Sequence, residues 1–95
     1  NVYLSPEERA AAPVLHRALS AGRAAIEAGE RDPEVVRRVM RDVVAAEPLA
    51  ELDYAEVVDA ATFTVPTPLT GELRLLIAAR FSKARLIDNM AARTD

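Results

Sequence analysis

Residues 72–90, ELRLLIAARFSKARLIDNM, decide the fold, because two periodicities fit them. On a strand template Leu73, Leu75, Ile77, Ala79 and Phe81 alternate to one side. On a helical template Leu73, Leu76, Ile77, Phe81, Ala84 and Ile87 gather on one face. Propensity leans to the helix, since Ala, Leu, Arg and Lys are good helix formers. Ser82-Lys83 is not one of the strong two-residue hairpin turns. Read from these residues alone, helix stands slightly ahead of strand.

The flanks are plainer. LDYAEVVDA, residues 52–60, mixes β-branched and aromatic residues with a loose alternation. Tyr54, Glu56 and Val58 fall on one side and Ala55 and Val57 on the other, which predicts a short strand over Leu52–Asp59. TFTVPTPLTG, residues 62–71, holds two prolines, three threonines and a terminal Gly and predicts an irregular loop.

Toward the start, Ser5-Pro6-Glu7-Glu8 predicts a helix start. Ser5 can cap the Glu8 amide while Glu8 reaches back to the Ser5 amide, and Pro6 at the first helical position loses no hydrogen bond. Ala10, Ala11, Val14, Leu15, Ala18, Leu19, Gly22, Ala25 and Ile26 follow at helical spacing, and Gly29 is placed to stop them. Pro13 should bend this helix near residue 12 or split off its first turn. A second helix is announced by Asp32 as N-cap and Pro33 at the first position. Its predicted core face is Val35, Val36, Val39, Met40, Val43 and Val44, with Glu34, Arg37, Arg38, Arg41 and Asp42 opposite.

Ninety-five residues make one small domain, with 51% hydrophobic and 28% charged residues, the balance of a folded soluble chain. A net charge of −3 argues against nucleic acid or a membrane surface as partner, since neutralising phosphates needs a concentrated basic field. Without cysteine, disulfides and thiolate metal sites are excluded, and with His16 as the single histidine so is a multi-histidine site. No apolar run reaches the roughly 20 residues that span a bilayer. The lack of cysteine fits a reducing cytoplasm, and the opening NVYLSPEE lacks an initiating Met, a basic n-region and an apolar h-region, so any targeting segment is expected to have been removed or never present.

Asn1-Val2-Tyr3-Leu4, Ala12-Pro13, Gly29-Glu30-Arg31, Asp53-Tyr54-Ala55-Glu56-Val57-Val58-Asp59 and Ala84-Arg85-Leu86-Ile87-Asp88-Asn89 occur in this order. Together they resemble the C-terminal domain of the bacterial pantothenate synthetases, the pantoate-beta-alanine ligases, from Asn1 to about Met90. The resemblance implies an α+β fold, two to three helices on a short three-stranded antiparallel sheet, and so turns residues 72–90 into two strands around Ser82-Lys83. It implies that residues 1–95 are a lid domain. The partner would be its own N-terminal, nucleotidyltransferase-type domain with a HIGH-type motif, in an enzyme that is usually a homodimer. The activity it implies is ATP- and Mg²⁺-dependent condensation of pantoate with beta-alanine through a pantoyl adenylate, with this fragment inactive alone and binding no cofactor.

The family's phosphate-contacting lid motif is Met-Ser-x-Arg-Asn, of which this chain holds only the last residue, Asn1. Asn1 is therefore the one candidate at the edge of an ATP-phosphate site, and no catalytic residue or metal ligand carries over. Tyr3 and Leu4 are expected to pack against the helices. Five cations, Arg74, Arg80, Lys83, Arg85 and Arg93, against Glu72 and Asp88 could steer a triphosphate or form a solvated strand face. Asp88-Asn89 could be ligands or could bond to local backbone, and His16 is expected to be a surface or packing residue. An apolar docking face left without its partner would drive weak self-association. The alternative function is a stand-alone small α+β protein-interaction module.

Overall fold

The computed structural model describes residues 5–95. Asn1, Tyr3 and Leu4, with the phosphate-site and packing expectations placed on them, lie outside the described residues. Helix α1 (Pro6–Ala11) and helix α2 (Val14–Glu27) are followed by helix α3 (Pro33–Ala45). Strands β1 (Glu51–Asp59), β2 (Glu72–Phe81) and β3 (Ala84–Arg93) form an antiparallel sheet in the order β1-β2-β3. The α+β architecture expected of the chain is the one observed. Among the described residues no helix is long and apolar enough to cross a membrane.

Local chemistry sets the helix ends. Ser5 Oγ accepts from the Glu8 amide at 3.1 Å, and Glu8 Oε1 accepts from the Ser5 amide at 2.9 Å. Pro13 divides α1 from α2 while the backbone stays right-handed at Ala12 and Pro13, so the proline splits off the first turns, as expected of a ring that removes one hydrogen bond. At the end of α2, Gly29 takes φ 112°, and the amides of Gly29 and Glu30 return to the carbonyls of Ile26 and Ala25. That closure satisfies carbonyls the helix would leave bare. The Asp32 carboxylate then accepts from the Glu34 amide at 2.9 Å to open α3.

Both long helices lie on one face of the sheet. Val14, Leu15, Ala18, Leu19 and Ile26 of α2 and Val36, Met40 and Val44 of α3 meet Leu73, Leu75, Ile77, Ala79 and Phe81 of β2 in one core. The six-residue core face predicted for α3 is narrower in fact. Val36, Met40 and Val44 are wholly buried, whereas Val35, Val39 and Val43 are half-buried on its flanks, because a single helix layer leaves the sides of α3 open.

Residues 72–90 form two strands. The helical template would have buried Leu76 and Ile87; Leu76 is half-buried and Ile87 is 61% exposed, while Leu75 and Ala79 are fully buried. Phe81 pairs with Ala84 across a two-residue turn in which Ser82 has φ 60°. The predicted loop runs from β1 to β2 and is pinned by Leu69, which is 1% exposed and whose amide donates to the Arg31 carbonyl at 2.9 Å. At the far end, Thr94 Oγ1 accepts from the Gly71 amide at 2.7 Å and ties the end of β3 to the start of β2.

Candidate functional site

Strand alternation assigns the second face of the sheet. Ala55 and Val57 of β1, the odd-numbered residues Leu73 to Phe81 of β2, and Ala92 of β3 belong to the core. Tyr54, Glu56 and Val58, then Arg74, Leu76, Ala78 and Arg80, then Arg85, Ile87, Asn89 and Ala91 therefore lie on the outer face. In register Tyr54 stands opposite Ala78, and Ala78 opposite Ile87, so these three form a row across the sheet. Ala78 is fully buried, while Tyr54 is 39% exposed.

A bulge between Leu52 and Tyr54 leaves Asp53 as an extra residue in β1. Arg85 Nε donates to Asp53 Oδ2 at 2.7 Å, and the guanidinium lies 5.9 Å from the centre of the Tyr54 ring. Arg85 is on β3 and both its partners are on β1, so its side chain spans β2 over the outer face. The contact to Tyr54 is a cation–π arrangement, worth about 0.5–1 kcal/mol at an exposed site. Arg80 is the direct cross-strand partner of Arg85 and makes no ion pair among the described residues. Arg74 Nη1 donates to Asn89 Oδ1 at 3.3 Å.

Glu51, Glu56 and Glu72 are the acids that the alternation assigns to this face, and the Glu56 carboxylate is turned to the free edge of β1. There it accepts from the Val57 amide at 2.9 Å and from Arg37 Nε of α3 at 2.7 Å. This hydrogen bond is the first cause that holds the Arg37 guanidinium protonated above its ordinary range. Arg41 first, then Arg37, hold the Glu34 carboxyl below its ordinary value, which extends the chain of charges along α3. The network fastens α3 to β1 and carries acid away from the outer face.

Not all of the predicted cations converge. Arg74, Arg80 and Arg85 share the outer face; Lys83 is exposed in the turn; Arg93 lies 3.8 Å from Glu72, both largely in water. A shallow cleft of about 300 Å³ has Arg23, Glu27, Glu72, Arg74 and Arg93 in its wall. Arg23 is paired with Glu27 at 3.0 Å, so the cleft mixes both signs and holds no concentrated positive field. Asp88 falls on the helix side of β3 and accepts from the Asn89 amide at 2.8 Å, the local backbone bond that was the plainer expectation. A charge turned inward on an edge strand also discourages pairing with another sheet. His16 is exposed on α2. Among the described residues no group of three or more His, Cys, Asp or Glu could hold a metal ion.

Sequence reading missed the Asp53-Tyr54-Arg85 cluster, since 31 positions separate Tyr54 from Arg85 and only strand order joins them. It also missed the turn after β1. The Asp59 carboxylate accepts from the Ala61 and Thr62 amides at 2.8 and 2.9 Å and presents Phe63, 60% exposed at φ 58°.

The pantoate-beta-alanine ligase family matches residues 1–91. Pantothenate synthetase 2 of Frankia alni is 52% identical over 90 residues, which are 95% of this chain and 27% of that protein. Pantothenate synthetase of Heliobacterium modesticaldum is 49% identical, again over 95% of this chain and 32% of its own length. The crystal structure of pantothenate synthetase from Thermus thermophilus superposes with a TM-score of 0.86 at 39% identity, covering 95% of this chain and 32% of that one. The chain thus spans about three-tenths of the length of the relatives it matches. A family match over nearly every residue, joined to the same fold at 39% identity, places the chain in the pantoate-beta-alanine ligase family.

Proposed function

We propose that residues 1–95 are the C-terminal lid domain of an ATP-dependent pantoate-beta-alanine ligase, whose nucleotide- and substrate-binding domain lies outside this chain. The observation that carries the reading is the family match over residues 1–91 by a chain only about three-tenths as long as its relatives. In this reaction the pantoate carboxylate attacks the α-phosphorus of ATP, the bond from that phosphorus to the oxygen bridging the β-phosphate breaks, and pyrophosphate leaves as pantoyl adenylate forms. The beta-alanine amine then attacks the acyl carbon; the C–O bond to AMP breaks, the amide forms and the amine proton is lost. A carboxylate is a poor acyl donor, and the mixed anhydride supplies its leaving group. A domain that closes over such a site protects the adenylate from water.

In this reading ATP and Mg²⁺ are used by the full-length enzyme. Asn1 sits at the edge of the phosphate-contacting motif, and the complete enzyme is a cytoplasmic homodimer. The test is pyrophosphate release from ATP, Mg²⁺ and pantoate, followed by pantothenate formation on adding beta-alanine. The full-length protein containing this chain is expected to perform both steps and residues 1–95 alone neither. A full-length protein that releases no pyrophosphate would overturn the reading.

A further inference from the structure

The outer face of the sheet carries features that the domain itself does not use. An antiparallel sheet face left to water is ordinarily polar. Here Ile87 is 61% exposed, Tyr54 is 39% exposed, and both flank the buried Ala78 with Leu76 beside them. Around this centre stand Arg74, Arg80 and Arg85. Arg80 directly opposes Arg85 on β3, a placement in which like charges are destabilising, and Glu51 on β1, with which it forms no ion pair among the described residues. Of the other acids on this face, Glu56 is engaged at the β1 edge and Glu72 lies beside Arg93 at 3.8 Å. Arg85 is held in place by Asp53 and Tyr54, so little side-chain freedom would be lost when a partner covers it.

We infer that this face docks against the remainder of the ligase polypeptide, on a surface with an apolar centre and acidic side chains at its rim that meet Arg74 and Arg80. The inference rests on the lid-domain reading above. Relatives about three times as long as this chain make a tethered partner the natural occupant. Tethering raises the effective concentration of such a partner, so a patch of this size needs only weak intrinsic affinity.

The test uses full-length ligase containing this chain, with Ile87→Cys on the outer face and Ser20→Cys on the exposed side of α2 as reference. Maleimide labelling is followed by mass spectrometry of the individual peptides. Docking in about nine molecules of ten predicts labelling at Ile87→Cys about tenfold slower than at Ser20→Cys. Ala91→Cys on the same face should show the same protection, which guards against a local effect of either substitution. Equal rates at the three positions would overturn the inference, as would protection that vanishes on dilution, the mark of a second copy. Arg80→Gln relieves the Arg80/Arg85 repulsion without setting a like charge against Glu51, yet should speed labelling at Ile87→Cys, the opposite of a purely internal effect; an unchanged rate would overturn the acidic rim. Pyrophosphate release is assayed on the same proteins. Release with a freely labelled face defeats the docking inference alone, and protection without release defeats the ligase reading alone.

Discussion

Ser82 holds the first position of the β2–β3 turn at φ 60°, a left-handed conformation that a side chain makes unfavourable. It is exposed and its neighbours Phe81 and Ala84 are fixed by pairing, so the backbone, not packing, sets the cost. Ser82→Gly should stabilise the domain by about 1 kcal/mol, less a small loss from added freedom in the unfolded chain. Thermal unfolding checks it, and an unchanged or lower midpoint would contradict the strain. Asp59 is the residue that titration can address. Hydrogen bonds from the Thr62 and then the Ala61 amide hold its carboxyl below the ordinary aspartate value. A pKa depressed in the folded state means that the turn's stabilisation is present above the unfolded-state pKa and is lost as pH falls through the lower, folded one. The Ala61 and Thr62 amide resonances should therefore titrate together with a midpoint below that of ordinary aspartates, and Asp59→Asn should abolish the step. A midpoint at the ordinary value would refute this account.

Helix α2 meets α3 and the sheet at Gly22. A Cβ built there would lie 2.9 Å from Met40 Cγ and 3.4 Å from Leu75 Cδ1, so the missing side chain is what lets the layers approach. Met40 and Leu75 are wholly buried and have little room to yield. Gly22→Val should destabilise the domain by about 2 kcal/mol through overpacking. Gly22→Ala should cost less, because alanine regains about 1 kcal/mol of helix propensity. Chemical denaturation of both variants measures this, and a Gly22→Val protein as stable as the parent would show that the contact is not tight. Helix ends, by contrast, depend on neighbours within four residues. The Ser5 capping box, the Gly29 closure and the Asp32 cap were legible because each is a local hydrogen-bond pattern that the chain carries wherever it goes.

For the molecule as a whole, one covered and one open sheet face explain what could and could not be read. Sequence by itself determined the helix starts at Ser5 and Asp32, the stop at Gly29, the interruption at Pro13, the first strand and the irregular loop, since these follow from caps, ring chemistry and short-range alternation. It also determined the family, through ordered motifs whose resemblance settled residues 72–90 in favour of two strands. The residues of that stretch did not settle themselves: Leu73, Ile77 and Phe81 satisfy either period, and intrinsic propensity pointed to the helix. Tertiary structure decided between them, because only a sheet puts Leu75 and Ala79 with Leu73, Ile77 and Phe81 under α2 and α3 and leaves Leu76 and Ile87 outside. The same strand order alone brought Arg85 across to Asp53 and Tyr54 and left an apolar, arginine-edged face uncovered. Burial is a property of what lies above a residue, and a local pattern holds no record of that when two patterns bury different halves of the same segment.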